Sequence, residues 1–155
     1  MAGFHTIGVR VPYEIDCDGA RIYVYVRGLG TVLHIEGDID AANADRVAAE
    51  VRRFARAQTP LVLDLSHLDF LGIDGFRSLL RLNQENHTAR LYCSLVPGPA
   101  MRLLTRIVKD HGLPLAGSVP EALQFIEDAV GARRQTRPGW PNATIAQSRS
   151  NSLQG

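Results

Sequence analysis

The sequence predicts an α/β sandwich, with a mixed central β-sheet of about five strands packed by about four helices. Three observations predict it. Two alternating, β-branched and aromatic runs, RIYVYVRG from Arg21 and TVLHIEGDI from Thr31, are separated by Leu29-Gly30 and read as a hairpin. The run LVLDL at 61–65 is apolar except for Asp64, the pattern of a strand buried on both faces. Segments of helical period then alternate with strand-like runs as far as residue 130.

Taken in order, residues 1–20 are mixed in character, close on the turn-like DCDGA, and read as an N-terminal extension. After the hairpin, residues 41–57 place Ala44, Val47, Ala48, Val51, Phe54 and Ala55 at helical spacing, opposite Arg46, Glu50, Arg52, Arg53 and Arg56. Asp40 is the expected N-cap of that helix. Pro60 closes the next loop and the central strand begins. A polar turn leads to an Asp-Gly pair, and a second helix is expected from Asp74 to about Asn86, with Phe76, Leu79 and Leu80 on one side. RLYCSLVPG is a further strand. Pro99 suits the first turn of a third helix, whose stripe is Ala100, Leu103, Leu104, Ile107 and Val108 and whose stop is Gly112. LPLAG reads as a short edge strand. Ser118-Val-Pro-Glu121 has capping-box spacing and opens a fourth helix carrying Ala122, Leu123, Ile126 and Val130. Residues 131–155 hold four arginines, no acid and few apolar groups, and read as a mobile tail; its Thr136, Thr144, Ser148 and Ser150 are hydroxyls open to a kinase.

Composition narrows the function class. A chain of 155 residues has room for one domain with a proper core, here taken as residues 21–130. The net charge of +1 lacks the basic surplus of a nucleic-acid binder. There is no apolar run of bilayer length and no signal-peptide-like start, so no membrane partner is expected. Two cysteines are too few for a disulfide scaffold, and a cytoplasmic location is the expectation. Cys93 suits a core position, with a redox pairing to Cys17 left open.

No catalytic constellation stands out: there is no Gly-x-Ser-x-Gly, no Cys-His pair and no carboxylate dyad, so an enzyme is not expected. Gly28-Leu-Gly30 is followed by neither helix nor Lys-Ser/Thr, so it is a turn and not a phosphate loop. His5, His34, His67, His87 and His111 show no ligand spacing, and no metal or cofactor is expected. The chemistry concentrates where the buried strand feeds the second helix, because a helix start exposes unpaired N–H groups and the positive end of the macrodipole. Asp74 stands there and reads first as a helix cap.

The segment LDLSHLDFLGIDG before the second helix, with GDID before the first, resembles the STAS domain, and more narrowly the bacterial anti-sigma factor antagonists, over roughly residues 21–130. The resemblance implies a protein that binds an anti-sigma factor, typically a serine kinase, and so regulates sigma-factor-dependent transcription. It implies a switch in which that kinase phosphorylates a Ser or Thr just before a glycine at the start of the second helix. Phe70 and Leu71 match the family's apolar pair and Gly75 its glycine, but Gly72-Ile73-Asp74 stands where Asp-Ser-Ser or Asp-Ser-Thr is usual. Asp74 therefore occupies the phosphoacceptor position and has no hydroxyl to esterify. Its charge is a weak imitation of a phosphate, which carries about −1.5 to −2 and three acceptor oxygens.

The implied partner surface comprises Asp38, Asp40, Asn43, Ser66, Gly72, Ile73, Asp74, Gly75, Arg77 and Ser78, with Ser66 and Ser78 the nearest alternative acceptors. Two rival readings remain: a sensor module binding a small ligand or nucleotide, and a scaffold or homodimer in a larger assembly.

Overall fold

The computed structural model describes residues 13–135. Six strands and four helices follow one another as β1 (Tyr13–Asp16), β2 (Ala20–Arg27), β3 (Gly30–Ile39), α1 (Ala44–Ala55), β4 (Leu61–Asp64), β5 (Leu68–Leu71), α2 (Ile73–Thr88), β6 (Cys93–Val96), α3 (Pro99–Ile107) and α4 (Val119–Gln135). The sheet is mixed, in the order β1-β2-β3-β4-β6, with β5 on the far half of β3. The expected class holds, with six strands where about five were expected: β1 and β5 are gained, and LPLAG is not a strand.

The β2–β3 hairpin is antiparallel, from Ala20↔Gly37 to Arg27↔Gly30. Gly28, at φ +55, leads its two-residue loop, the position at which a type II′ turn needs glycine. β3 then carries two parallel partners. Its first half pairs with β4 from Thr31↔Leu61 to His34↔Asp64, and its second half pairs with β5. The register shifts between Gly37 and Asp38, and there the chains approach so closely that a Cβ on Gly37 would collide with the Gly19 carbonyl.

Side-chain alternation divides the core between the two sheet faces. Ile22, Leu33, Ile35, Leu61, Leu63 and Leu65 face α1, α2 and α3, which contribute Val47, Val51, Phe76, Leu79 and Met101. Val32, Val62 and Val96 turn to the other face, where α4 covers them with Ala122 and Ile126. β4 is buried along its whole length, which explains its unbroken apolar run.

Several boundaries differ from the sequence reading. Tyr13–Asp16 lies within the supposed extension yet pairs with β2 as an edge strand, and α4 continues past residue 130. Leu68–Leu71, read as a polar turn, is β5. LPLAG contributes only a bridge, Leu95↔Leu115. The third helix ends at Ile107, before Gly112. Cys17 lies beside β1 and Cys93 on β6, at opposite sides of the sheet, and both are free thiols. Strands spaced about 4.8 Å apart put them beyond the roughly 7 Å limit for a disulfide. Thr136, Thr144, Ser148 and Ser150 lie outside the described residues. Among the described residues no helix is long and apolar enough to cross a membrane.

Candidate functional site

The parallel pairing of β5 with β3 delivers the chain to the start of α2 beside the turn that precedes α1. Asp38 pairs with Phe70 and Ile39 with Leu71, and the Gly72 N–H donates to the Ile39 carbonyl at 2.8 Å. Gly72, with extended backbone, is the N-cap of α2, so Asp74 is not the cap that the sequence suggests. Asp74 is the second residue of the helix. It is exposed and makes no capping hydrogen bond, although its charge still faces the favourable end of the macrodipole. Gly75 is buried because α2 rests directly on β3 and β5. A Cβ there would lie 2.7 Å from both Ile39 Cγ2 and Leu71 Cδ1.

Phe70 and Ile73 flank Asp74 with about half of their surface open, at 51% and 52%. Arg77, Asp38 and Asp40 are also exposed. The result is an apolar pair within a ring of charge, formed by β5, the first turn of α2 and the loop before α1. Leu103 and Ile107 are further exposed apolar groups on α3, which packs against β5.

Not every residue expected at this surface reaches it. Asn43 is fully buried and acts as a staple. Its Oδ1 accepts the Asp40 N–H at 2.9 Å, and its Nδ2 donates to the Asp38 carbonyl at 2.9 Å and the Asp18 carbonyl at 3.1 Å. α1 begins only at Ala44, so Asp40 is not its N-cap. Asp40 instead organises an Asx turn, its Oδ1 accepting the Ala42 and Asn43 N–H groups. Ser78 is buried and therefore closed to a kinase. Ser66 is half-buried, and its hydroxyl donates to Asp64 Oδ1 at 2.6 Å.

That last contact belongs to a cluster that sequence spacing misses. His34 and Asp64 follow Val32 and Val62 by two residues, so they point to the α4 face of the sheet, opposite α2. His34 Nδ1 lies 2.9 Å from Asp64 Oδ2, and Nε2 lies 2.8 Å from Glu36 Oε2. Ionised carboxylates only accept, so both contacts are hydrogen bonds when His34 carries a proton on each ring nitrogen. Burial pushes its pKa down, but the bonds to Asp64 and Glu36 outweigh this and raise it above the ordinary value. Burial likewise pushes Asp64 up, yet the bonds from His34 and Ser66 hold it down at about 2. The His67 ring sits 5.0 Å from that of His34, centroid to centroid. A groove of about 520 Å³ opens beside it, lined by Asp16, Arg21, Tyr23, Glu36, His67 and Asp69 among others.

Comparison with known proteins adds four findings. The family model described as the STAS domain matches residues 21–109. Osmosensory protein A of Mycobacterium tuberculosis is 37% identical over 126 residues, spanning 78% of this chain and 80% of that protein. An anti-sigma factor antagonist from Mycobacterium paratuberculosis superposes with a TM-score of 0.64 at 25% identity, over 72% of this chain and 97% of that one. The anti-sigma factor antagonist SpoIIAA in its unphosphorylated form shares the fold, with a TM-score of 0.56 at 15% identity over 69% of this chain and 96% of its own.

Proposed function

Because this chain belongs to the STAS-domain family, we propose that it works by protein binding, as an antagonist of an anti-sigma factor of the serine-kinase type. The observation that supports this most directly is the exposed pair Phe70 and Ile73 around Asp74, set between Asp38, Asp40 and Arg77. Apolar anchors with a charged rim are the anatomy of a protein contact surface. Similarity to an anti-sigma factor antagonist from M. paratuberculosis supports the partner class, and the name of the M. tuberculosis relative suggests osmotic stress as the input.

On this reading Asp74 holds a fixed negative charge where relatives add and remove a phosphate. Affinity is then set by one charge and two oxygens at the rim, where charge tunes encounter and specificity more than burial energy. Asp74→Ser should tighten binding to the cognate anti-sigma factor and accept phosphate from it, measured by calorimetry and by labelled ATP. Unchanged affinity with no incorporated phosphate would remove the role of Asp74. Failure of both the native chain and the variant to capture any anti-sigma factor would remove the antagonist reading itself.

The groove beside Glu36 raises a small-ligand alternative. Asp16, Glu36 and Asp69 line it, and its Arg21 is already paired with Glu14 at 2.9 Å. Such a lining suits a cation better than the phosphates of a nucleotide.

A further inference from the structure

The cluster on the α4 face has a construction that the antagonist reading does not use. Two polar side chains, His34 and Asp64, occupy buried positions on adjacent central strands and face each other through Nδ1 and Oδ2. Their remaining polar atoms are spoken for from outside. Glu36 Oε2 takes the His34 Nε2–H, and the Ser66 backbone N–H and hydroxyl both donate to Asp64 Oδ1, at 3.1 and 2.6 Å. A histidine whose far nitrogen is held by a carboxylate, beside an oriented carboxylate, is the outer-shell arrangement that prepares ligands for a metal ion. His67 completes the set: one ligand atom each from His34, Asp64 and His67 lie within 4.8 Å of one another.

We propose that His34, Asp64 and His67 bind one divalent transition-metal ion of the zinc class, through His34 Nδ1, Asp64 Oδ2 and a ring nitrogen of His67. The donor set selects the metal. Two imidazoles and one carboxylate suit zinc and its neighbours, whereas magnesium and calcium prefer oxygen ligands alone. The dimensions agree. Ligand bonds of about 2.0–2.1 Å in a tetrahedral site hold two donor atoms about 3.3–3.4 Å apart. The Nδ1–Oδ2 separation of 2.9 Å needs only a few tenths of an ångström more. The exposed His67 closes the remainder by a small side-chain rotation, and water from the adjoining groove takes the fourth position.

The ion replaces the proton that now bridges Nδ1 and Oδ2. His34 then binds as the neutral ring protonated at Nε2, and the displaced proton leaves to solvent. The bound ion would fasten the β4–β5 turn, which carries His67, to β3 and β4.

The test uses the full, tag-free chain, stripped with EDTA and dialysed against micromolar zinc chloride, with bound metal counted by elemental analysis. Cobalt(II) replaces zinc in a parallel sample so that its d–d absorption reports the coordination. The expected result is one zinc retained per chain and an intense tetrahedral cobalt band. His67→Ala alters an exposed group, so it leaves the fold intact and should weaken retention at least about tenfold. Glu36→Gln should weaken it by about 10- to 100-fold through the loosened His34 ring. Asp69→Asn, in the groove but outside the ligand set, should leave it unchanged. No zinc retained, or retention equal in the native chain and His67→Ala, would overturn the proposal, the second result placing the ion elsewhere. Neither outcome bears on the binding of an anti-sigma factor.

Discussion

Asn43 offers the sharpest test of how the acidic loop before α1 is held to the β1–β2 turn. Its amide satisfies three backbone groups at once, the Asp40 N–H and the carbonyls of Asp18 and Asp38, and the residue is 1% exposed. Each such bond is worth about 0.5–1.5 kcal/mol net, and removing one partner leaves the others unsatisfied. Asn43→Ala should therefore cost about 2–4 kcal/mol by urea denaturation, which for a chain of this size lowers the melting temperature by roughly 5–15 °C. Asn43→Asp separates the contributions. It keeps the acceptor for Asp40 but turns a carboxylate toward two carbonyl oxygens, so at pH 7 it should cost as much as alanine or more. The new carboxyl regains a donor only when protonated, so its folded pKa must lie above its unfolded value near 3.9. Its contribution is then complete below that unfolded value and lost as pH rises through the folded one, and the deficit should shrink on acidification. A cost below about 1 kcal/mol for alanine, or an aspartate variant within about 0.5 kcal/mol of the native chain at pH 7, would refute the staple.

Gly75→Ala forces a Cβ to 2.7 Å from Ile39 and Leu71, an overpacking cost of about 1–3 kcal/mol set against roughly 1 kcal/mol of helix propensity gained. A net loss of up to about 2 kcal/mol is expected in urea, and a more stable variant would contradict the close approach. The His34 pKa is raised by Asp64 and Glu36 despite burial, and His67 and Tyr23 are its other titratable neighbours. With EDTA present, the stability it adds should be complete below its unfolded value near 6.5 and lost as pH rises through the higher folded value. The urea midpoint of the native chain should fall across that window more steeply than that of His34→Gln; parallel curves would reject the assignment.

Much of the fold was legible because each central strand has a periodic signature. The hairpin alternates, β4 is continuously apolar, and the stripes of α1 and α3 read directly as helical faces. β5 was not legible. It is four residues long, its middle two are exposed, and it pairs with the far half of β3 across a register shift at Gly37 that no sequence pattern marks. The cap of α2 was misplaced for the same reason: once β5 carries the chain out to Leu71, Gly72 is the turning residue and Asp74 is already helical. The His34–Asp64 pair was hidden by a sequence separation of 30, and only the parallel register joins them. A signal did exist. His34 stands between Leu33 and Ile35, and Asp64 between Leu63 and Leu65, and two such interruptions on central strands imply that they satisfy one another.

On the proposed contact surface, the acidic loop before α1 and Asp74 within α2 are anchored differently, and this makes function separable from folding. The Asp38–Asp40 loop is tied down by a buried amide, so altering that amide moves the loop and costs stability. Asp74 is exposed and makes no capping bond, so what it gives the fold is its charge near the helix N-terminus, about 0.3–1 kcal/mol. Replacing it by serine sacrifices no more than that. A change in anti-sigma affinity on Asp74→Ser larger than about tenfold, or about 1.4 kcal/mol, would therefore exceed anything the fold can supply. An effect of that size would have to arise at the contact between Asp74 and its partner.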